Sequence, residues 1–399
     1  HAQQQRRRWA LLLCASVTCV AILVAVLVMS VLSVVANLRD DYTGLVSAAA
    51  PEAAMAGRRL LRRGCNAADA AVATAFALGV AEPAMSGLGG GYQIVIMPRN
   101  GSQPVVAVDG STYSPAATPR NATRQQLEDN ELLRVTTPSA VRVLFDVHRR
   151  YGSGRTGCRW RDVLAPAIEL ADQGVKMGEF RHEVLRNTYR ELARDNYTAS
   201  VFLLKSDGGD WVLPNKEHVM KQHDLRDTLQ SIADVGPAYF YERVAAAVDE
   251  RMQRGGGWLR KTDFEHLPPP TVSEAIYANV LNLGEKSNFT MTTYTAPPPA
   301  SGWVVLEAMK YLLLWRSNTN ITDGDEELSF VMALTRSLTL AHGSQFHNPI
   351  ARTDNGTALL AAVRRRLDGD RVARRWREFT YFAKDVDDDD DSTTTTTTT

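Results

Sequence analysis

The segment Gly87–Gly91 contains four glycines in five residues, and glycine-rich loops can bind phosphate. Such a site needs a strand before the glycines and a helix after them, because N–H groups at the helix N-terminus bind the anion. Here the predicted helix Asn66–Ala81 precedes the glycines and the predicted strand Tyr92–Met97 follows them, with no Lys-Ser/Thr pair. The pattern favours a sharp turn or close backbone packing, and a ligand held by exposed N–H groups is the alternative.

Cysteine and histidine show no metal-ligand spacing. Cys14 and Cys19 lie in an apolar N-terminal segment, which leaves Cys65 and Cys158 in the rest of the chain. These two can form one disulfide in an oxidising compartment or remain buried thiols, and the sequence leaves both alternatives open. We expect no metal ion and no other cofactor.

The charge composition argues against a general nucleic-acid-binding protein. The 399 residues include 45 Lys+Arg and 45 Asp+Glu, without a basic stripe interleaved with aromatic residues. Hydrophobic residues make up 44% of the chain, enough for a sizeable core. We predict a globular protein with no nucleic-acid partner.

The apolar, uncharged segment Trp9–Ala36 is longer than the ~20 residues that cross a bilayer. Three arginines directly precede it, and positive residues stay on the cytoplasmic side. We predict a cytoplasmic tail at 1–8, a transmembrane signal anchor at 9–36 and a juxtamembrane stalk at 37–46. The result is a single-pass type II membrane protein whose large domain is extracellular or lumenal. A cleaved signal peptide is the alternative, although its apolar region is usually only ~7–15 residues.

Asn-X-Ser/Thr sequences support the same orientation, because every one of them follows the apolar segment. The predicted glycosylation sites are Asn100, Asn121, Asn196, Asn288, Asn320 and Asn355.

Helical patterns dominate the sequence after the stalk. The predicted helices are Ser47–Arg63, Asn66–Ala81, Ser139–Tyr151, Trp160–Gly174, Asp224–Ala233, Pro237–Arg254, Ala300–Trp315 and Glu326–His342. The β-branched runs Tyr92–Met97 and Pro104–Val108 flank an Asn-Gly pair and predict a hairpin, and Met291–Thr295 is a short extended piece. These strands are too few for a complete sheet, so we expect further strands after Thr399. Residues 385–399, a run of aspartates and then threonines, predict a disordered tail.

The segment GCNAADAA at 64–71, followed by Pro83 and Ser86–Gly91, resembles the N-terminal part of the γ-glutamyltransferases, or glutathione hydrolases. That family has Gly-Gly-Asn-Ala-X-Asp-Ala-Ala, then Pro, then Ser-Gly-X-Gly-Gly-Gly, so Cys65 replaces one glycine. Later blocks follow in the family's order: RYGSGRTGCRWRDVLAPAIELADQG, DLRDTLQSIADVGPAYFYERVA, GGWLRKTDFEHL and PPPASGWVVLEAMKYL. The resemblance covers about residues 45–350.

The resemblance implies an α+β fold, the αββα sandwich of the N-terminal nucleophile hydrolases, preceded here by one transmembrane helix. Residues 47–384 are then the helix-rich large-subunit part of a precursor that cleaves itself, and its own small subunit is a partner. The implied activity is transfer of the γ-glutamyl group of glutathione and related amides to water, an amino acid or a dipeptide.

The resemblance places the nucleophile outside this chain. In the family it is a Thr at the new N-terminus of the small subunit, whose α-amine acts as its general base. A Thr-Thr-His-Ser-Val-Val-Asp-like sequence marks that point, and the run Thr393–Thr399 lacks the His and the apolar strand. We therefore assign no catalytic residue here, and we expect the fragment alone to be inactive.

One substrate contact of the family falls within the chain. The family has an Arg in an Asp-X-Arg-Glu-X-Ala-Pro stretch, and its guanidinium binds the α-carboxylate of the γ-glutamyl group. In this sequence Asp109 and Pro115 match that stretch, but Ser111 stands at the Arg position and Thr112 at the Glu position. Arg120 could substitute only through an unusual loop path.

This departure leaves three hypotheses. The protein is a γ-glutamyltransferase/glutathione hydrolase with altered carboxylate binding, an acylase-like relative that acts on another amide, or an inactive membrane-anchored binding glycoprotein.

Overall fold

The computed structural model describes residues 44–99, 101, 103–281, 290–318, 333–335, 337–338, 341 and 356–376. None of the helices that these residues form is long and apolar enough to cross a membrane. The predicted span Trp9–Ala36 lies outside the described residues, as do the tail 385–399 and most of the predicted helix Glu326–His342.

The described residues form a helix-rich α+β fold. The helices are α1 (Pro51–Arg62), α2 (Ala67–Ala81), α3 (Arg124–Asp129), α4 (Ala140–Tyr151), α5 (Trp160–Gln173), α6 (Gly178–Leu192), α7 (Asn196–Phe202), α8 (His223–Val235), α9 (Pro237–Tyr239), α10 (Ala245–Gly255), α11 (Lys261–Glu265), α12 (Gly302–Asn318) and α13 (Gly356–Arg366). The strands are β1 (Tyr92–Ile96), β2 (Val106–Gly110), β3 (Val175–Lys176), β4 (Leu204–Lys205), β5 (Trp211–Val212), β6 (Val219–Met220), β7 (Thr271–Glu274), β8 (Ile276–Leu281) and β9 (Thr290–Thr295).

Helix α2 lies at the centre of the main core. Its sequence is apolar on nearly all sides, as expected of a helix surrounded by protein, and it packs against α1, α4 and α5. The Asn66 side chain accepts a hydrogen bond from the Asp69 backbone N–H at 3.0 Å, and the Asp69 carboxylate accepts one from the Asn66 N–H at 3.1 Å. This capping box fixes where the helix begins, at the position that the sequence predicts.

The predicted hairpin is confirmed, although its second strand begins later than predicted. β1 pairs antiparallel with β2, with Tyr92 opposite Gly110, and β2 also pairs antiparallel with β7. β2 is therefore the central strand of the order β1-β2-β7, and Pro104 cannot join it because proline has no N–H for a ladder. The predicted piece Met291–Thr295 lies in β9, which pairs with β8 in a separate two-stranded sheet.

The predicted helix Pro237–Arg254 is interrupted by a π turn at Phe240–Val244. Two consecutive aromatic residues, Phe240 and Tyr241, are both buried there, and both rings pack near Phe264. A regular α-turn separates consecutive side chains by about 100°, so the wider turn helps both rings reach one core.

A second cluster forms around α12, where Glu307 is completely buried. Its carboxylate accepts a hydrogen bond from the Tyr311 hydroxyl at 3.0 Å and one from Arg375 Nη1 at 2.7 Å. Arg366 Nε lies 3.5 Å from the same carboxylate. Because a buried charge needs opposite charge and hydrogen bonds, these contacts hold Arg366 and Arg375 against α12.

Candidate functional site

The glycine loop 87–91 connects α2 to β1, and its glycines allow close backbone approach. A Cβ at Gly79 would lie 3.0 Å from the Cα of Gly87, so α2 and the loop touch through backbone alone. A Cβ at Gly91 would lie 2.4 Å from the Gly110 carbonyl oxygen and 2.8 Å from Ser139 Oγ. The loop therefore fits only with hydrogen in place of a side chain at these points.

The loop presents a carbonyl oxygen, rather than N–H groups, to the nearest helix N-terminus. Gly90 O accepts hydrogen bonds from the backbone N–H groups of Ser139 at 3.0 Å and Ala140 at 2.9 Å, where α4 begins. Ser139 Oγ donates to the Gly110 carbonyl at 2.5 Å and joins the same helix start to β2. Two of the N–H groups that would bind a phosphate at this helix start, those of Ser139 and Ala140, are therefore already used within the protein.

Gly91→Ala is expected to lower the free energy of unfolding by about 1–3 kcal/mol, because the new methyl would push the loop away from Gly110 and Ser139. Gly89→Ala is the matched control, because a Cβ there meets nothing within 4 Å, and it should change stability by less than about 0.5 kcal/mol. Urea unfolding followed by circular dichroism measures both. Equal effects of the two variants would contradict the packing role of Gly91.

A cavity of about 190 Å³ borders the glycine loop and is walled mostly by apolar side chains. Its lining includes Phe76, Leu88, Tyr92, Leu144, Leu225 and Leu229. Burial raises the pKa of the Tyr92 phenol to about 12, as expected of a hydroxyl among apolar side chains. This cavity suits an apolar group and not a phosphate.

Ser111 lies directly after β2, where three polar side chains meet. Gln93 Nε2, on β1, donates to Ser111 Oγ at 2.7 Å and also to Asp109 Oδ1. The Ser111 backbone N–H donates to the same Asp109 oxygen at 2.9 Å. The following loop is fixed by backbone hydrogen bonds between Tyr113 and Thr137. The hairpin register therefore positions this cluster.

The cluster carries negative charge. Burial and then the Asp109 carboxylate raise the pKa of the Tyr113 phenol above its ordinary value. Among the residues that the structure describes, no arginine is hydrogen-bonded or ion-paired to Ser111 or Asp109. Arg120, which could substitute only through an unusual loop path, is exposed and is not among the hydrogen-bond partners of Ser111. The site can hold a hydroxyl, an amide or a cation, and the described part of the chain places no positive charge there for a carboxylate.

Of the predicted glycosylation sites, Asn121 and Asn196 are exposed in the structure. The other four predicted sites are Asn100, Asn288, Asn320 and Asn355, and these lie outside the described residues. Thr393–Thr399 also lie outside them.

Cys65 and Cys158 form a disulfide, which settles the alternatives left open by the sequence. Their Cα atoms are 5.6 Å apart, and the bond connects the residues just before α2 and α5. Buried Asp69 lies beside the sulfurs, and His148 Nε2 is 3.5 Å from its Oδ1. Sequence spacing did not reveal this group, because its members come from three separate parts of the chain.

Comparisons with known proteins agree with the fold and the motifs. The family model described as gamma-glutamyltranspeptidase matches residues 53–345. Scoloptoxin SSD14 of Scolopendra dehaani is 26% identical over 385 residues, which cover 83% of this chain and 62% of that protein. The glutathione hydrolase proenzyme of Bacillus subtilis (strain 168) is 30% identical over 284 residues, which cover 68% of this chain and 44% of that protein.

A solved structure shares the fold. The crystal structure of Helicobacter pylori gamma-glutamyltranspeptidase superposes with a TM-score of 0.70 at 21% identity, covering 84% of this chain and 91% of that chain. The chain spans only about half of the length of the curated relatives it matches.

Proposed function

Because the chain belongs to the γ-glutamyltranspeptidase family, we propose that the whole protein is a γ-glutamyltransferase/glutathione hydrolase, of which this chain is the large-subunit part. The family match over residues 53–345 carries this proposal, because it includes the glycine loop, the hairpin and the start of α12. The substrate class is glutathione and related γ-glutamyl amides, and the acceptor is water, an amino acid or a dipeptide.

In this proposal, the chemistry is divided between two subunits. A Thr at the N-terminus of a small subunit, produced by self-cleavage after the residues described here, is the nucleophile, and its own α-amine takes the hydroxyl proton. The small subunit also supplies strands to an αββα sandwich. β1 supports this, because within the described residues it pairs on one side only and so offers an edge to a further strand.

Self-cleavage and γ-glutamyl transfer test the proposal together. The natural full-length protein should run as two fragments on a denaturing gel and should release p-nitroaniline from γ-glutamyl-p-nitroanilide, faster when a dipeptide acceptor is present. Thr→Ala at the first residue of the smaller fragment should abolish both. A protein that cleaves itself but leaves this substrate untouched would contradict the γ-glutamyl proposal.

The Ser111 cluster favours one alternative, an acylase-like enzyme for amides without an α-carboxylate. Ser111, Gln93 and Asp109 present neutral donors and one carboxylate where the family resemblance places an arginine. A panel of p-nitroanilides, with γ-glutamyl, glutaryl and uncharged acyl groups, distinguishes the γ-glutamyltransferase from the acylase-like enzyme. Preference for the uncharged acyl groups would favour the acylase, and cleavage of none would favour the inactive binding glycoprotein.

We also propose that the protein is a glycosylated, type II membrane protein with this domain extracellular or lumenal. The exposure of Asn121 and Asn196 supports glycan attachment at these two sites. In cells that perform N-glycosylation, glycosidase treatment should increase the gel mobility of the protein, and Asn121→Gln with Asn196→Gln should remove part of that shift. An unchanged mobility would contradict the lumenal orientation.

A further inference from the structure

The disulfide lies in a pocket of potential metal ligands. The Cys65 and Cys158 sulfurs and a carboxylate oxygen of Asp69 all lie within 4.8 Å of one another. Cys158 and Asp69 are completely buried, and Cys65 is 6% exposed. Thiolate, carboxylate and imidazole are the ligand types that zinc uses in proteins.

One oxygen of Asp69 makes no hydrogen bond. Asp69 Oδ2 accepts from the backbone N–H groups of Asn66 and Ser153, each at 3.1 Å. Oδ1 is buried and has no hydrogen-bond partner among the described residues. A buried carboxylate oxygen in this state has lost its hydration and has gained no hydrogen bond in exchange, and this is unusual in a folded protein.

A glycine and a histidine border this oxygen. A Cβ at Gly152 would lie 2.6 Å from Asp69 Oδ1, so only glycine fits there. His148 Nε2 lies 3.5 Å from Oδ1, close to the roughly 3.3 Å that separates two ligand atoms of a tetrahedral zinc ion. His148 Nε2 also lies 3.0 Å from the Cys158 carbonyl oxygen.

We propose that the Cys65–Cys158 pair has a second, reduced state in which Cys65, Cys158, Asp69 and His148 bind one Zn²⁺. A dithiol reductant supplies two electrons and two protons, the S–S bond breaks to two thiols, and the reductant becomes a disulfide. Zinc binding then releases one proton from each thiol. The Asp69 oxygen gains its missing partner, and His148 leaves the Cys158 carbonyl to become the fourth ligand. This proposal is independent of the γ-glutamyl activity.

Equilibrium dialysis against Zn²⁺ tests the proposal on the full chain. A phosphine reductant is used because it does not compete for zinc as a dithiol does; it takes an oxygen from water as the disulfide becomes two thiols. The reduced chain should bind one more Zn²⁺ than the oxidised chain, and Co²⁺ in place of Zn²⁺ should give a thiolate-to-cobalt charge-transfer band. The double variant Cys65→Ser, Cys158→Ser is the control for zinc bound elsewhere. It should show neither the additional bound Zn²⁺ nor the charge-transfer band.

Two variants test the remaining ligands. Asp69→Asn and His148→Gln should each raise the zinc Kd by more than the roughly 10–100-fold that loss of an outer-shell partner costs. Circular dichroism of each reduced sample shows whether it is folded, and a reduced chain that unfolds without zinc and refolds with it supports the proposal. A folded reduced chain that binds no more zinc than the double-serine variant would overturn it. A reduced chain that stays unfolded in the presence of zinc would also overturn the proposal, as would an unchanged zinc Kd in Asp69→Asn.

Discussion

Replacing Cys65 and Cys158 together by serine is expected to lower the free energy of unfolding by about 4 kcal/mol. The bond closes a loop with a sequence separation of 93 residues, and constraining a loop of this size removes much of the entropy of the unfolded chain. The bond also holds the starts of α2 and α5 together, and these helices form much of the main core. Urea unfolding followed by circular dichroism, without reductant and with a metal chelator, measures the loss.

The unsubstituted chain treated with reductant and chelator is the matched control, because it loses the same bond without a change of sequence. Both samples should show the same lowered midpoint. If the double-serine variant unfolds within about 1 kcal/mol of the oxidised chain, the disulfide does not stabilise this core.

Ser111→Arg is expected to lower the KM for a γ-glutamyl substrate by roughly 30-fold, which corresponds to about 2 kcal/mol. The new guanidinium can form a bidentate, charge-assisted pair with the substrate α-carboxylate, whereas the serine hydroxyl offers one neutral hydrogen bond. The neighbouring Asp109 is compatible with this change, because the family stretch that this segment resembles has Asp two residues before its Arg. Steady-state kinetics of the natural full-length protein with γ-glutamyl-p-nitroanilide measures the effect.

Ser111→Gln is the matched control, because it adds length and donors without charge. It should leave KM within about threefold of the original value, since a neutral hydrogen bond contributes little net free energy. An equal decrease in KM in both variants, or no decrease in Ser111→Arg, would show that residue 111 does not face the substrate carboxylate.

Local signals were sufficient where an element is determined by its own residues. Asn66 and Asp69 form a capping box within four residues, and the sequence that follows predicted a helix that the structure confirms. The hairpin β1–β2 was likewise predicted from β-branched runs about an Asn-Gly pair. The predicted start of β2, at Pro104, was wrong. β7, far along the chain, pairs with β2 and makes it a central strand, and a central strand excludes proline.

Which residues meet at each site depends on long-range contacts, and the spacing of residues in the sequence does not reveal these contacts. The use of Gly90 O to cap α4 requires that residues some fifty positions apart meet, and no local pattern marks it. The grouping of Cys65, Asp69, His148 and Cys158 depends on how α2, α4 and α5 pack. The departure at Ser111 was visible in the sequence, but its hydrogen bonds to Gln93 and Asp109 follow from the register of the hairpin.

The most direct test of the proposed function is the fate of glutathione itself. The natural full-length protein, after self-cleavage, is incubated with glutathione, and the products are identified by liquid chromatography with mass spectrometry. We predict release of glutamate and cysteinylglycine, with γ-glutamyl dipeptides appearing when an amino acid acceptor is added. Intact glutathione in the presence of folded, self-cleaved protein would contradict a γ-glutamyltransferase/glutathione hydrolase function.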